Sequence, residues 1–172
     1  MILKIIKRAF RRPCRDVLIN SFAASVWVNT WLRRMIYRVY GMELGKVWMF
    51  PGCSFVSSDL KIGDGTWINK DCVFINSSLI SIGTNCNIAF GVSFVCNSHH
   101  IGPSERRAGA GLNLPITVGN GCWIGANVTI LPGIEIGDGV IIGAGSVVTK
   151  NCAANGVYAG NPAKLIRQLT QD

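Results

Sequence analysis

The sequence predicts an all-β solenoid, a parallel β-helix, on three observations. Aliphatic residues recur every six positions: from Val118 the chain reads VGNGCW, IGANVT, ILPGIE, IGDGVI, IGAGSV and VTKNCA. Three such units fill eighteen residues, and that step recurs at distant places, from Leu44 to Ile62 and from Val118 to Ile136. Gly-Asp and Gly-Asn pairs punctuate the units with residues that tolerate positive φ. Ordinary strands of a sandwich would not keep an eighteen-residue register across their turns.

Each unit supplies one short strand and one turn, and three units make one triangular coil. The leading Ile, Val or Leu points inward, and stacking coil upon coil builds the core. IGDGTW from Ile62, INKDCV from Ile68, IGTNCN from Ile82 and IAFGVS from Ile88 hold the same register. The step from Ile62 to Ile82 is twenty, which predicts a two-residue insertion near Asn76–Leu79. Cys72, Cys86, Cys122 and Cys152 share one phase of the repeat, where small side chains fit. The chain has seven cysteines and no CxxC pair, so they read as reduced core residues of a cytoplasmic protein.

The N-terminal stretch departs from the repeat. Residues 1–40 hold nine basic side chains (Lys4, Lys7, Arg8, Arg11, Arg12, Arg15, Arg33, Arg34, Arg38) against Asp16 alone, and the rest of the chain is neutral. All of the net charge of +8 therefore belongs to this segment. Ile5, Ile6 and Phe10 alternate with cations before Pro13, and Trp31, Met35 and Val39 recur at helical spacing within Trp27–Tyr40. Two short helices are expected. Residues 1–42 read as a basic amphipathic cap over the open end of a solenoid spanning 43–172. Peripheral contact of residues 1–40 with an anionic membrane at the inner face of the cell membrane is compatible with that role. The opening MILKIIKRAF is too short and basic for a membrane span and lacks the pattern of a signal peptide. No nucleic-acid-binding motif accompanies the charge.

The repeat breaks once, at CNSHHIGPSERRAGAGLNLPI (96–116), where the two histidines of the chain, His99 and His100, stand together. A loop over about 99–115 that places an imidazole at its root suits proton abstraction from a hydroxyl. A metal site is not expected: two adjacent residues on a strand point to opposite faces, and a histidine zinc site needs three ligands.

The run HHIGPSERRAGAGLNLPITVGNGCWIGANVTILPGIEIGDGVIIGAGSVVTK, followed by AGNPAKLIR, resembles the hexapeptide-repeat acyltransferases. The similarity is to the branch of maltose, galactoside, nodulation-factor and capsule O-acetyltransferases, through Pro103, Glu105, Arg106 and Pro115-Ile116-Thr117-Val118-Gly119. The resemblance implies a left-handed coil, a homotrimer and acetyl-CoA as donor with no metal. It implies His99 as general base, while His100 occupies a place where that family commonly has proline. It also implies Asn76 and Trp123 as substrate contacts, with Gly125, Ala126, Gly143, Ala144, Gly145, Thr149, Lys150, Lys164 and Arg167 along coenzyme A. The acceptor implied is a sugar hydroxyl, with surface-polysaccharide synthesis as the setting. Acetylation of a hydroxylated antibiotic, or a scaffold without activity, are the alternatives.

Overall fold

The computed structural model describes Pro13 and residues 15–170. The hexapeptide units form about six coils of parallel β-helix with three faces. Glu43–Leu44, Leu60–Ile62, Ile80–Ile82, Ile116–Val118 and Glu135–Ile136 make the first face. Trp48–Met49, Trp67–Ile68, Asn87–Ile88, Trp123–Ile124, Ile141–Ile142 and Gly156–Ala159 make the second, and Lys164–Gln168 pairs antiparallel at its end. Ser54–Phe55, Val73–Ile75, Ser93–Val95, Thr129–Ile130 and Val147–Val148 make the third.

Parallel pairing in register sets like residue on like. Leu44, Ile62, Ile82, Val118 and Ile136 form one inward column, and Met49, Ile68, Ile88, Ile124 and Ile142 a second. On the third face Phe55, Phe74 and Phe94 stack with ring centroids 5.0 Å apart at each step. Phe74 is wholly buried in the middle of that stack. Phe74→Ala is expected to cost about 3–5 kcal/mol in urea unfolding, since neighbouring coils cannot collapse into the gap.

The described cysteines are all free and buried. The Cys86 and Cys122 thiols reach the Gly119 and Gly137 carbonyls of the next coil at 3.1 Å. Burial pushes the Cys152 thiol up to about 11. This phase of the repeat is a packing position, as the spacing predicts. The insertion also falls where expected, at the corner between Ile75 and Ile80.

Of the two expected helices, the one around Ile5–Phe10 lies outside the described residues. The other is Thr30–Tyr40, whose N-terminus Asn29 caps by accepting from Leu32 N at 2.9 Å. Gly41 ends it in the left-handed region at φ 111°. Arg15–Ala23 adds a π-helical segment that the periodicity does not reveal. Tyr37 sets its ring edge-on against Phe55 at 5.0 Å, which closes the phenylalanine stack from below. Burial raises its phenol pKa.

Candidate functional site

The predicted loop is a β-hairpin that begins two residues earlier than expected, pairing Asn97–Ile101 with Ala108–Asn113. It leaves the solenoid at the edge between the third and first faces. Its root is tied to the inserted corner: Ser77 Oγ donates to Asn113 Oδ1 at 2.9 Å, and Ile116 N to Leu79 O at 3.1 Å. The insertion therefore supports the hairpin. At the far end Gly102 is required for the close turn, because a Cβ there would lie 2.3 Å from the Arg106 carbonyl oxygen. Pro103, Glu105 and Arg106 form the exposed tip.

His99 pairs across the hairpin with Gly111, and the ladder bulges between His99 and Ile101. The His99 Nδ1 lies 2.9 Å from the Gly109 carbonyl oxygen. A carbonyl can only accept, so Nδ1 carries the hydrogen and Nε2 keeps its lone pair. The imidazole is thus held in the tautomer a general base requires. A Cβ on Gly109 would meet the His100 carbonyl at 2.9 Å, so this approach also depends on glycine.

A second feature runs along the edge between the second and third faces. Backbone hydrogen bonds align Phe50, Asn69, Ala89, Gly125, Gly143 and Ala159 one above another. Side chains shrink along this column, so toward the C-terminal coils the edge is a strip of small residues, termed the trough. Beside the Phe50–Ala89 stretch a hollow of about 200 Å³ is lined by Phe50, Trp67, Asn69, Asn87, Ala89 and Trp123. Trp67, Asn87 and Trp123 are register partners on the second face. Asn87 is the short rung between two outward indoles, and its small size makes the slot. Trp48 stacks on Trp67 from the other side at 4.7 Å.

Gly125 sits in this trough because a Cβ would fall 2.6 Å from the Ala144 amide nitrogen, so it sets coil spacing. Gly143 faces Ala159 at 3.0 Å in the same way. Gly145 differs: its φ is +70° and open space surrounds it. Ala144 is exposed beside it. Gly125 N donates to Ile142 O, whereas among the described residues no backbone carbonyl takes the Ala126 N–H.

The structure does not gather every expected residue into one place. Trp123, Gly125, Ala126, Gly143, Ala144 and Gly145 belong to the trough and its hollow. Thr149 and Lys150 are exposed just after Val147–Val148, on the edge that carries the His99 hairpin. Lys164 and Arg167 lie exposed on Lys164–Gln168. Asn76 is wholly buried. Its Oδ1 accepts from Val56 N and Ser57 N at 2.9 Å each, and its Nδ2 donates to Ser57 O at 2.8 Å. With its amide spent on the corner of the coil below, Asn76 acts as a strut and offers no polar atom to an acceptor. Asn69 and Asn87 are the amides that the structure turns to the hollow. The visible signal for Asn69 was its phase, directly after inward Ile68 and level with Ala89 and Gly125. Among the described residues no cluster of three or more His, Cys, Asp or Glu could hold a metal ion.

Coil, hairpin and trough define a hexapeptide-repeat transferase. Residues 115–150 match the family model for the bacterial transferase hexapeptide, six repeats. Galactoside O-acetyltransferase of Escherichia coli K12 is 34% identical over 155 residues, covering 90% of this chain and 68% of that enzyme. Yeast and staphylococcal relatives match over 114 residues, and the chain spans less than two thirds of their length. A galactoside acetyltransferase solved in complex with coenzyme A superposes with TM-score 0.84 and 32% identity, covering 94% of this chain and 82% of that one. A polySia-specific acetyltransferase superposes with TM-score 0.60 and 29% identity, covering 71% and 61%. The chain belongs to the hexapeptide-repeat acetyltransferase family.

Proposed function

We propose that this protein transfers the acetyl group of acetyl-CoA to a hydroxyl of a saccharide acceptor, working as a homotrimer. The observation that carries the reading is the His99 ring, fixed by Gly109 through Nδ1, on the hairpin that leaves the coil. The acceptor oxygen attacks the thioester carbonyl carbon while Nε2 takes its proton. The C–S bond then breaks, and the imidazolium returns the proton to the departing sulfur. In this reading the Ala126 N–H, which no backbone carbonyl among the described residues takes, donates to the oxyanion formed between these steps. Trapping donor and acceptor together supplies much of the rate, so no acylated side chain is required.

The donor's pantetheine arm fits the trough past Ala126, Ala144 and Gly145, with its thioester toward the hollow at Trp123. Lys150, Lys164 and Arg167 are suited to its phosphates. Within one chain His99, Thr149 and Lys150 stand on a different edge from the trough. Packing three solenoids about a common axis sets the hairpin edge of one against the trough of the next, which completes the site. The hollow takes one sugar ring, with Asn69 and Asn87 as hydrogen-bonding partners and the indoles as apolar walls.

Surface polysaccharide, assembled on a lipid carrier at the inner face of the cell membrane, is the acceptor pool this reading favours. The likeness to a polySia-specific enzyme and the basic N-terminal segment support it. The test is transfer of labelled acetyl from acetyl-CoA into a fractionated extract of the source cells. Label is expected in polymer or lipid-linked saccharide, and absent when His99→Ala enzyme is used. Label confined to small soluble acceptors would instead favour detoxification of a hydroxylated compound.

A further inference from the structure

Along the outward column of the second face Trp48, Trp67, Asn87, Trp123 and Ile141 stand in turn, each the register partner of the next. Asn87 is the short polar rung in a ladder of large apolar side chains. Trp48 stacks on Trp67 with centroids 4.7 Å and planes 18° apart, and Phe50 stacks on the same indole at 5.9 Å and 26°. Both belong to the coil before Trp67, so they cover the same side of its ring. The other side is left to the hollow over Asn87, which Trp123, 57% exposed, flanks from beyond.

The coil fixes the width of this slot. Neighbouring parallel strands lie about 4.8 Å apart, so two steps set Trp67 and Trp123 about 9.6 Å apart. Carbon atoms in contact are about 3.5 Å apart, so a ring that touches both indoles must fill roughly 6 Å. A flat aromatic ring is only about 3.5 Å thick by the same measure and can rest on one indole alone. A saturated six-membered ring in a chair is thicker, because it carries C–H bonds on both faces. Its equatorial hydroxyls project from the rim, where the amides stand. Among the described residues nothing pairs with the Asn87 amide. Asn69 Oδ1 accepts from Lys70 N at 2.8 Å, which leaves its Nδ2 to donate.

We propose that Asn87 determines acceptor specificity. As the short rung of the ladder it opens a slot between Trp67 and Trp123 that a saturated pyranose ring fills, with an indole against each apolar face. Its amide binds a hydroxyl on the rim of that ring. Ring thickness is thus what the site selects, and a flat aromatic alcohol is a poor acceptor because it leaves one indole untouched. The inference rests on the reading of the hollow as the acceptor site, and adds to it the shape of ring that the site takes and the residue that sets it.

Saturation-transfer NMR on the full chain with methyl β-glucopyranoside, whose hydroxyls all lie on the rim, reads the contact without turnover. Axial protons on both faces of the pyranose are expected to receive saturation. Acetyl transfer to the same glycoside should exceed transfer to benzyl alcohol by at least about tenfold in kcat/KM. Asn87→Trp continues the indole ladder and shuts the slot. It should abolish the saturation and raise KM for the glycoside at least about tenfold, with acetyl-CoA affinity within about twofold of native. Asn87→Ala keeps the slot open and removes only the amide, so saturation of both faces should persist while KM rises about 2–10-fold. Saturation of one face or of neither, an unchanged KM in Asn87→Trp, or benzyl alcohol serving as well as the glycoside would overturn the proposal. Saturation of both faces by a chain that acetylates neither probe would defeat the proposed function and leave the slot standing. Transfer to the glycoside with one face saturated would defeat this inference and leave that function standing.

Discussion

His99→Ala is expected to lower kcat for acetyl transfer by about three orders of magnitude, with acetyl-CoA affinity unchanged. The size follows from the loss of a positioned base. The selectivity follows from location, because His99 lies on an exposed hairpin off the core and on a different edge from the trough. Folding should be untouched for the same reason. His100→Ala should stay within about threefold of the native rate, since the hydrogen bond that fixes an imidazole at the hairpin is made by His99 Nδ1. Steady-state kinetics with calorimetric donor binding checks both. Loss of activity on His100→Ala with His99→Ala near native would exchange their roles.

Arg33→Met carries the largest expected effect on stability. Four backbone carbonyls lose their donor in a site from which water is excluded, and the replacement offers them nothing. Unsatisfied buried acceptors make this cost at least about 3 kcal/mol, or ~6–12 °C in Tm. Arg33→Lys should recover little, because one ammonium cannot span the positions that a planar guanidinium reaches. By contrast Arg15→Met, a half-buried side chain whose bonds to Asp16 and the Val56 carbonyl lie within reach of water, should change Tm by no more than about 2 °C. Calorimetric melting of the three variants separates these cases.

The solenoid was legible because its period is written in nearest neighbours along the chain. Ile62, Ile82 and Val118 announce one column, and the twenty-residue step announced the corner at Asn76–Leu79. His99 was legible for a related reason, since a break in a strict pattern is visible without knowing the fold. What could not be read depends on contacts between coils. Asn76 and Asn69 look alike in sequence, both corner asparagines near inward aliphatics. Only coil stacking shows that Asn76 spends its amide on Ser57, whereas Asn69 meets the hollow. Gly125 and Gly143 likewise match a ligand-lining pattern, yet each is held small first by the coil above. Arg33 was the least legible residue. Arginines at helical spacing signal a solvated face, and nothing local reveals that a ring of free carbonyls awaits one of them.

The central claim is that the base and the donor trough meet only when two chains pack together. Mixing subunits tests it. Chains carrying His99→Ala and chains carrying Ala144→Trp, which fills the trough, should each be inactive alone. Co-refolded at equal amounts, they should recover about a quarter of native activity, since half the hairpins and half the troughs remain intact and meet at random. Recovery at that level would establish a site shared between chains. No recovery, with mixed oligomers demonstrated by mass, would place His99 and its donor within one chain and contradict the account.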